Sequence, residues 1–177
     1  MRIGVYVGSF NPVHDGHIHV AKYLINNNYV DKVLLLPTPG YWDKKDLASM
    51  KHRVNMLKFY EEDNIVVDTN HNNYDYTYQV LESLKKDYND ELYLIIGSDN
   101  LEKFHLWKNI EEILKYNIIV LNRGDNIDKY INKLNGKFTI INDFDYIDIS
   151  STEIRRGLRK HLKKEVASYI DENHLYS

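Results

Sequence analysis

Short, uninterrupted apolar runs alternate along this chain with longer segments in which apolar residues recur every three or four positions. An apolar run of four to eight residues is typical of a strand that is buried on both faces, and the longer spacing predicts an amphipathic helix. The predicted strands are residues 3–7, 32–36, 64–67, 92–96, 117–121 and 137–141. The predicted helices are residues 17–28, 50–59, 77–88, 110–114, 152–162 and 165–172.

This alternation predicts an α/β fold: a Rossmann-like, doubly wound parallel sheet with a C-terminal helical extension. The 177 residues contain neither an internal repeat nor a Pro/Ser-rich linker, so we expect a single domain over 1–177. Ligands of such sheets bind beyond the carboxyl ends of the strands. Four segments therefore belong near one rim: residues 8–17, 37–46, 97–99 and 148–151.

Composition narrows the class of protein. Apolar residues make up 43% and charged residues 28% of the chain, which excludes a disordered or low-complexity protein. Lys and Arg total 23 against 26 Asp and Glu, so the basic excess of a nucleic-acid-binding protein is missing and we expect no such partner. Cysteine is absent, which fits a reducing compartment. No segment has the pattern of a signal peptide or a membrane span, and we expect a cytoplasmic protein.

The first rim segment carries groups that suit an anion. Gly8 ends the first predicted strand, and His14, Gly16 and His17 stand where the first helix begins. A helix start offers unpaired N–H groups and the positive end of the helix dipole. Gly8 allows close approach of the backbone to a ligand, and both histidines can donate hydrogen bonds to phosphate oxygens. The segment is therefore predicted to bind a nucleoside triphosphate.

Other interpretations of this segment are weaker. No Gly-Lys-Ser/Thr follows, so it is not a P-loop, and the glycine spacing does not match the dinucleotide-binding fingerprint. A zinc site formed by His14, His17 and His19 is an alternative, but such a site needs three or four convergent ligands. His19, two positions along the helix from His17, is expected to point elsewhere.

A second group of polar residues precedes the predicted helix at 152–162. Ser150 or Ser151 could cap this helix, and capping alone would explain both serines. Arg155 is harder to explain in this way, because an arginine near a helix start opposes the helix dipole and benefits from a bound anion. We therefore single out Arg155 as a candidate anion-binding residue.

The two segments GSFNPVHDGH and ISSTEIR resemble the HxGH and ISSTxIR signatures of the nucleotidyltransferase superfamily. Four further segments are similar to bacterial nicotinate-nucleotide adenylyltransferases, so that the resemblance spans essentially the whole chain: IIGSDNLEKFHLW, HRVNML, DYTYQVL and YIDENHLY. Members of that family use ATP and nicotinate mononucleotide to form deamido-NAD and pyrophosphate, without a covalent enzyme intermediate. The resemblance implies a transferase of NAD biosynthesis whose partners are ATP and a pyridine mononucleotide, with Mg²⁺ carried by ATP.

The resemblance also implies roles for individual residues. The implied catalytic residues are His14, His17 and Arg155. The implied ATP-binding residues are Gly8, Ser9, Phe10, Gly97, Asp99, Ile149, Ser150 and Ser151. The implied residues for the acceptor substrate are Lys44, Thr77, Trp107 and the backbone of Lys108. Structural explanations stay open for three of them: Trp107 as a core residue, Thr77 as a helix N-cap and Lys44 as a solvated charge.

Two segments depart from the family pattern. Residues 40–44 replace the usual PPHK, with Asp43 in place of the family histidine, and residues 74–77 replace PSYT. A carboxylate beside an incoming phosphate is unfavourable unless it turns away or pairs with a lysine. Nicotinamide mononucleotide and phosphopantetheine therefore stay open as acceptors. A non-catalytic nucleotide-binding module is a further alternative, and a homo-oligomeric assembly is also left open.

Overall fold

In this computed structural model, which describes residues 1–39 and 46–177, one sheet lies between two layers of helices. The strands are β1 (Arg2–Gly8), β2 (Lys32–Pro37), β3 (Ile65–Val67), β4 (Glu91–Gly97), β5 (Asn117–Leu121) and β6 (Lys137–Ile141). The α-helices are α1 (Asp15–Asn26), α2 (Met50–Lys58), α3 (Thr77–Asp87), α4 (Ile110–Ile113), α5 (Asp128–Ile131), α6 (Ser151–Arg155) and α7 (Lys164–Glu172). A 3-10 helix covers Ser98–Leu106.

All strand pairs are parallel, and the strand order is β3-β2-β1-β4-β5-β6. The first strand therefore lies in the middle, and the chain changes direction across the sheet between β1 and β4. This confirms the predicted doubly wound α/β fold with a C-terminal helix. In such sheets the crevice beside the carboxyl ends at that change of direction is the usual ligand site.

The alternation of side chains along each strand fills two cores, one on each face of the sheet. In β2, Val33 and Leu35 pack with α1, α2 and α7, whereas Leu34 and Leu36 pack with α3 and the 3-10 helix. All four side chains are almost fully buried. Because both faces are covered, the strands are apolar at nearly every position, which is the pattern that the sequence shows. No helix in the described part of the chain is long and apolar enough to cross a bilayer.

The helix predicted at residues 152–162 is wrong in its extent. Helix α6 ends at Arg155, because Gly157 adopts a left-handed conformation with φ of 117°. The amide of Gly157 donates to Ile154 and that of Leu158 donates to Glu153, the pairing that closes a helix at a glycine. The 3-10 helix and the four-residue α5 were not predicted, because neither carries a sustained spacing of 3.6 residues.

Gly157→Ala should lower the free energy of unfolding by about 1–3 kcal/mol, because a side chain at this φ is strained. Urea denaturation followed by circular dichroism measures the change. Ser168→Ala is the matched control, since Ser168 is exposed in the middle of α7 and alanine is a good helix former. Equal stability of Gly157→Ala and the wild type would show that a side chain at position 157 is not strained.

Candidate active site

A cleft of about 350 Å³ opens at the carboxyl ends of β1 and β4, where the sheet changes direction. It brings together residues from both ends of the chain and from its middle. The lining side chains that could contact a polar ligand come from seven segments: Tyr6, His14, His17, Thr77, Asp99, Asn100, Trp107, Arg123, Ser150 and Ser151. Gly16, Gly97 and Ile149 complete the wall between them.

The two histidines of the first loop cap α1 together. His14 is the N-cap residue and its Nδ1 accepts a hydrogen bond from the amide of Gly16 at 3.0 Å. The amide of His14 donates in turn to Nδ1 of His17 at 3.1 Å. The rings stack with their centroids 3.8 Å apart, and Phe10 packs edge-on against His17 at 5.0 Å. The local sequence thus holds both imidazoles in one orientation at the helix start.

This capping fixes which nitrogen of each ring carries the proton. Because Nδ1 of His14 and of His17 accepts from a backbone amide, each neutral ring has its hydrogen on Nε2. Burial lowers the pKa of His14 to about 4 and holds the pKa of His17 well below its ordinary value. Both rings are therefore neutral at pH 7, and each has an Nε2–H group that no described residue accepts.

Gly16 is required by the packing around His14. A Cβ at this position would lie 2.8 Å from Cε1 of His14 and 3.2 Å from Cγ2 of Ile149. Both distances are shorter than ordinary contacts, and the imidazole is 6% exposed, so it has little room to move. The glycine between the two histidines therefore allows the second rim segment, through Ile149, to pack directly against the first.

The carbonyl groups of the loop between β1 and α1 are held by side chains from other elements. Arg53 of α2 donates to the carbonyl of Ser9 at 3.0 Å. Arg155 of α6 donates to the carbonyl of Asn11 at 2.8 Å, and Ser151 donates to the carbonyl of Pro12, also at 2.8 Å. These three contacts hold the backbone of the loop in place, and both of its histidines line the cleft.

Arg155 lies in the last turn of α6, and not near the start of a longer helix. Besides its bond to the loop, its guanidinium donates to the hydroxyl of Thr152 at 3.1 Å. The side chain lines a neighbouring pocket of about 300 Å³ with Arg156 and Arg159, and it is not among the residues that line the cleft of His14 and His17. The N-cap of α6 is Ser150, whose Oγ accepts from the amide of Glu153.

On the β4 side of the cleft, the carboxylate of Asp99 lies over Gly97. A Cβ on Gly97 would lie 2.5 Å from Oδ1 of Asp99, so the acidic side chain lies directly against the end of β4. Asp99 is exposed to the cleft. The preceding Ser98 is buried and donates to Asp125, which ties the end of β4 to the loop after β5. A carboxylate in this place can accept hydrogen bonds from ligand hydroxyls.

Arg123 is a cleft residue that the sequence interpretation missed. It follows β5, and its positive charge contributes to the low pKa of His14 and His17. The rule that ligands bind at carboxyl ends of strands points to it, but none of the four predicted rim segments directly follows β5. The guanidinium lies 5.2 Å from the ring centre of Tyr146.

The residues expected to bind the acceptor are partly brought together. Thr77 and Trp107 both line the cleft, and Trp107 also packs edge-on against Phe104 at 4.8 Å. Thr77 is the first residue of α3 and Tyr76 is the N-cap, so the capping explanation of Thr77 is wrong. Lys108 is exposed next to Trp107. Lys44 lies outside the described residues.

The metal-site alternative for the three histidines finds no support in the geometry. Nε2 of His19 hydrogen-bonds the carbonyl of Asp145 at 2.7 Å, and its ring packs against Phe144. His19 therefore lies apart from the stacked pair of His14 and His17. Among residues 1–39 and 46–177, no group of three or more His, Cys, Asp or Glu side chains is arranged to hold a metal ion.

Comparison with known proteins places this architecture in a family. Residues 5–157 match the model of the cytidylyltransferase-like family. A protein from Caldicellulosiruptor bescii named "Probable nicotinate-nucleotide adenylyltransferase" is 37% identical, and the alignment covers 99% of both chains. One of the same name from Borrelia hermsii is 35% identical over 99% of this chain and 98% of its own. The solved Plasmodium falciparum nicotinic acid mononucleotide adenylyltransferase complexed with NaAD superposes with a TM-score of 0.82 at 26% identity, covering 99% of this chain and 97% of the other.

The low pKa of His14 should make folding sensitive to mild acid. The unfolded chain takes up a proton near pH 6.5 and the folded state only near pH 4, so stability is complete at pH 7 and falls as the pH drops between these values. His14→Asn keeps a capping acceptor but does not titrate. Between pH 7 and pH 4 this variant should lose about 3 kcal/mol less unfolding free energy than the wild type.

Urea denaturation at several pH values measures this difference. His105→Asn, in the exposed end of the 3-10 helix, controls for the loss of an imidazole outside the cleft. If His14→Asn and the wild type lose the same unfolding free energy between pH 7 and pH 4, the pKa of His14 is not lowered in the folded protein.

Proposed function

This chain belongs to the cytidylyltransferase-like family, together with the nicotinate-nucleotide adenylyltransferases, and we propose that it transfers the adenylyl group of ATP to nicotinate mononucleotide. The products are deamido-NAD and pyrophosphate, which makes the chain a nucleotidyltransferase of NAD biosynthesis; we place it in the cytoplasm. One observation carries the proposal: two neutral imidazoles, His14 and His17, present Nε2–H donors side by side at a helix start in the cleft. The identity shared over the full chain with relatives of that name supports it.

In the proposed reaction a phosphate oxygen of the mononucleotide attacks the α-phosphorus of ATP. The new P–O bond forms as the bond to the β-phosphate oxygen breaks, and pyrophosphate leaves with that electron pair. No group of the protein is covalently modified, so the protein aligns the reactants and stabilises the charge on the α-phosphate oxygens. The Nε2–H groups of His14 and His17 are the donors for those oxygens, and the positive end of the α1 dipole adds attraction for their negative charge.

The remaining cleft residues fit the two substrates. Asp99 can accept hydrogen bonds from ribose hydroxyls, and Ile149 to Ser151 line the side of the cleft next to the histidines. The Trp107 ring offers a surface on which the pyridine ring can stack, with Thr77 on the same wall. Arg123 adds positive charge for the triphosphate. Arg155 supports the reaction by holding the carbonyl of Asn11, and its direct contact with phosphate stays a prediction.

We propose that Mg²⁺ enters with ATP. Magnesium in proteins is commonly held by one or two carboxylates together with substrate phosphates, and it seldom occupies an all-protein cage. Asp99 is the carboxylate among the described cleft residues that could contribute to such a site. The ion would neutralise phosphate charge, while the orientation of the α-phosphate would still depend on the histidines.

The test is pyrophosphate release by the purified protein with ATP and Mg²⁺, with nicotinate mononucleotide, nicotinamide mononucleotide and phosphopantetheine compared at matched concentrations. A clear preference for nicotinate mononucleotide is expected. If only one of the other acceptors reacts, the adenylyl transfer is correct but the enzyme belongs to a different biosynthetic pathway. ATP binding without turnover on any acceptor would instead favour a nucleotide-binding module.

His17→Ala should lower kcat by about 10²–10³, the effect of removing one transition-state donor, while the fold persists. Steady-state kinetics with the preferred acceptor measures the change, and circular dichroism checks the fold. His105→Ala is the matched control, because His105 is exposed outside the lining of the cleft. A rate near that of the wild type would remove His17 from the mechanism.

A further inference from the structure

His71 lies between two carboxylates, outside the cleft of the proposed reaction. It is 6% exposed and belongs to the loop that follows β3. Its Nδ1 lies 2.8 Å from Oδ2 of Asp68, which is also buried, and its Nε2 lies 2.6 Å from Oδ2 of Asp87. Asp87 is the last residue of α3, and its side chain is exposed. The imidazole therefore joins the loop after β3 to the carboxyl end of α3.

The positions of the two carboxylates fix the protonation state of this imidazole. An ionised carboxylate only accepts hydrogen bonds, and a neutral imidazole has a single N–H group. In a neutral ring, one nitrogen lone pair would therefore face a carboxylate oxygen at hydrogen-bond distance. Only the imidazolium donates to Asp68 and to Asp87 at once. Burial lowers the pKa of His71, but the hydrogen bonds to Asp87 and Asp68 outweigh burial and hold the pKa above its ordinary value.

The loop around His71 is ordered by buried polar side chains. Oδ1 of Asp68 accepts from the amides of Asn70 and His71, both at 2.8 Å. Asn72, which is 4% exposed, donates from Nδ2 to the carbonyl of Pro37 at 2.7 Å. The loop is thus fixed to the end of β2 by Asn72 and to the end of α3 by His71.

His71 supplies the positive charge that both carboxylates need. Asp87 stands at the carboxyl end of α3, where the helix dipole favours a cation and disfavours an acid. Lys85 and Lys86 are exposed in the same turn, but in the described part of the chain neither forms an ion pair with Asp68 or Asp87. A buried carboxylate without a cation is costly, so a neutral His71 would destabilise Asp68 in its place.

Two other titratable side chains lie near this pair of contacts. The Tyr88 ring packs against the imidazole with the ring centroids 5.9 Å apart. Burial raises the pKa of Tyr88, and Asp68, Asp87 and Asp90 raise it further, so the phenol is neutral at pH 7. Asp90 pairs with the N-terminal ammonium at 3.2 Å. As the pH rises, the imidazolium of His71 therefore loses its proton before the phenol of Tyr88 does.

We propose that the His71 imidazolium is a pH-dependent ionic link between the loop of residues 68–72 and α3, and that loss of its proton at alkaline pH releases the loop. The inference does not depend on the proposed reaction, although the helix that the link holds begins at Thr77 in the wall of the cleft. The pKa of His71 is higher in the folded protein than its ordinary value of 6.5. The link therefore stabilises the fold fully below that value and progressively less as the pH rises through the folded pKa.

The pH dependence of thermal unfolding tests the link. His71→Gln keeps an amide that can donate to one carboxylate, and it has no group that titrates. Between about pH 6 and about pH 9, Tm of the full-length wild type should fall by about 4 °C more than Tm of His71→Gln. The same fall in His71→Gln and in the wild type would overturn the proposal.

His52→Gln is the matched control for the loss of an imidazole. Nδ1 of His52 hydrogen-bonds the hydroxyl of Tyr169 at 2.7 Å, and the ring contacts no carboxylate among the described residues. Tm of this variant should therefore show the pH dependence of the wild type. A weakened pH dependence in His52→Gln equal to that in His71→Gln would show that the effect is not specific to His71 and would overturn the link.

Asp87→Asn tests the link without disturbing the core, because the Asp87 side chain is exposed. The amide oxygen still accepts from Nε2, but the charge that favours the imidazolium is gone. In NMR titrations of the imidazole signals, the midpoint of His71 should move to lower pH in this variant. Glu82→Gln removes an exposed carboxylate from the same helix and should leave the midpoint unchanged. A midpoint at or below about 6.5 in the wild type, or one that Asp87→Asn does not move, would contradict the link.

Hydrogen exchange shows whether the loop itself is released. The amide of His71 donates to Asp68, whereas the amide of Asn122 donates to Ile141 near the opposite edge of the sheet. Relative to the intrinsic exchange rate at each pH, protection of the His71 amide should fall about 10-fold between about pH 6 and about pH 9. Protection of the Asn122 amide should stay constant. Constant protection at His71, or an equal fall at both amides, would refute a local release of the loop.

Discussion

The hydrogen bonds to the main-chain carbonyls of Ser9, Asn11 and Pro12 are the interactions on which the cleft depends. These groups sit in a loop that is neither helix nor strand, so no ladder satisfies them, and a buried carbonyl without a partner costs free energy comparable to a lost hydrogen bond. Arg53, Arg155 and Ser151 supply the partners from residues 44, 144 and 139 positions away. Without these side chains, the loop could not hold His14 and His17 at the start of α1.

Two of these partners, Arg53 and Arg155, bring positive charge to the loop. Arg53 is 2% exposed and donates only to carbonyl groups, and no carboxylate within the described ranges forms an ion pair with Arg53 or Arg155. Burying an unpaired cation is costly. The cost is offset when a polyanion enters the neighbouring cleft, because the positive potential is already in place and needs no rearrangement. Burial, together with the charge of Arg123, lowers the pKa of both histidines and keeps them neutral, which makes them hydrogen-bond donors and not a further pair of cations.

The fold could be predicted from the sequence more completely than the site. Most strands are buried on both faces and are therefore apolar throughout, so the apolar runs located all six, and the carboxyl-end rule placed His14, Gly97 and Ser150 near one another. Arg155 shows the limit of that approach. The sequence predicts Arg155 near the start of a helix that runs to residue 162. In the structure α6 ends at Arg155, because Gly157 terminates the helix two residues later. Its bond to Asn11 joins residues that no local pattern connects.

The strand order explains why both ends of the chain are needed at one loop. β1 lies in the middle of the sheet and β6 at its edge, so the chain after β6 must return past two strands, β5 and β4, before α6 reaches the loop of β1. Contacts between residues so far apart in sequence carry a large loop-closure entropy and are made only when the sheet is assembled. The HxGH segment therefore has the donors for phosphate, but their orientation is a property of the completed fold, in which Ser151, Arg155 and Tyr176 lie against residues 11 and 12.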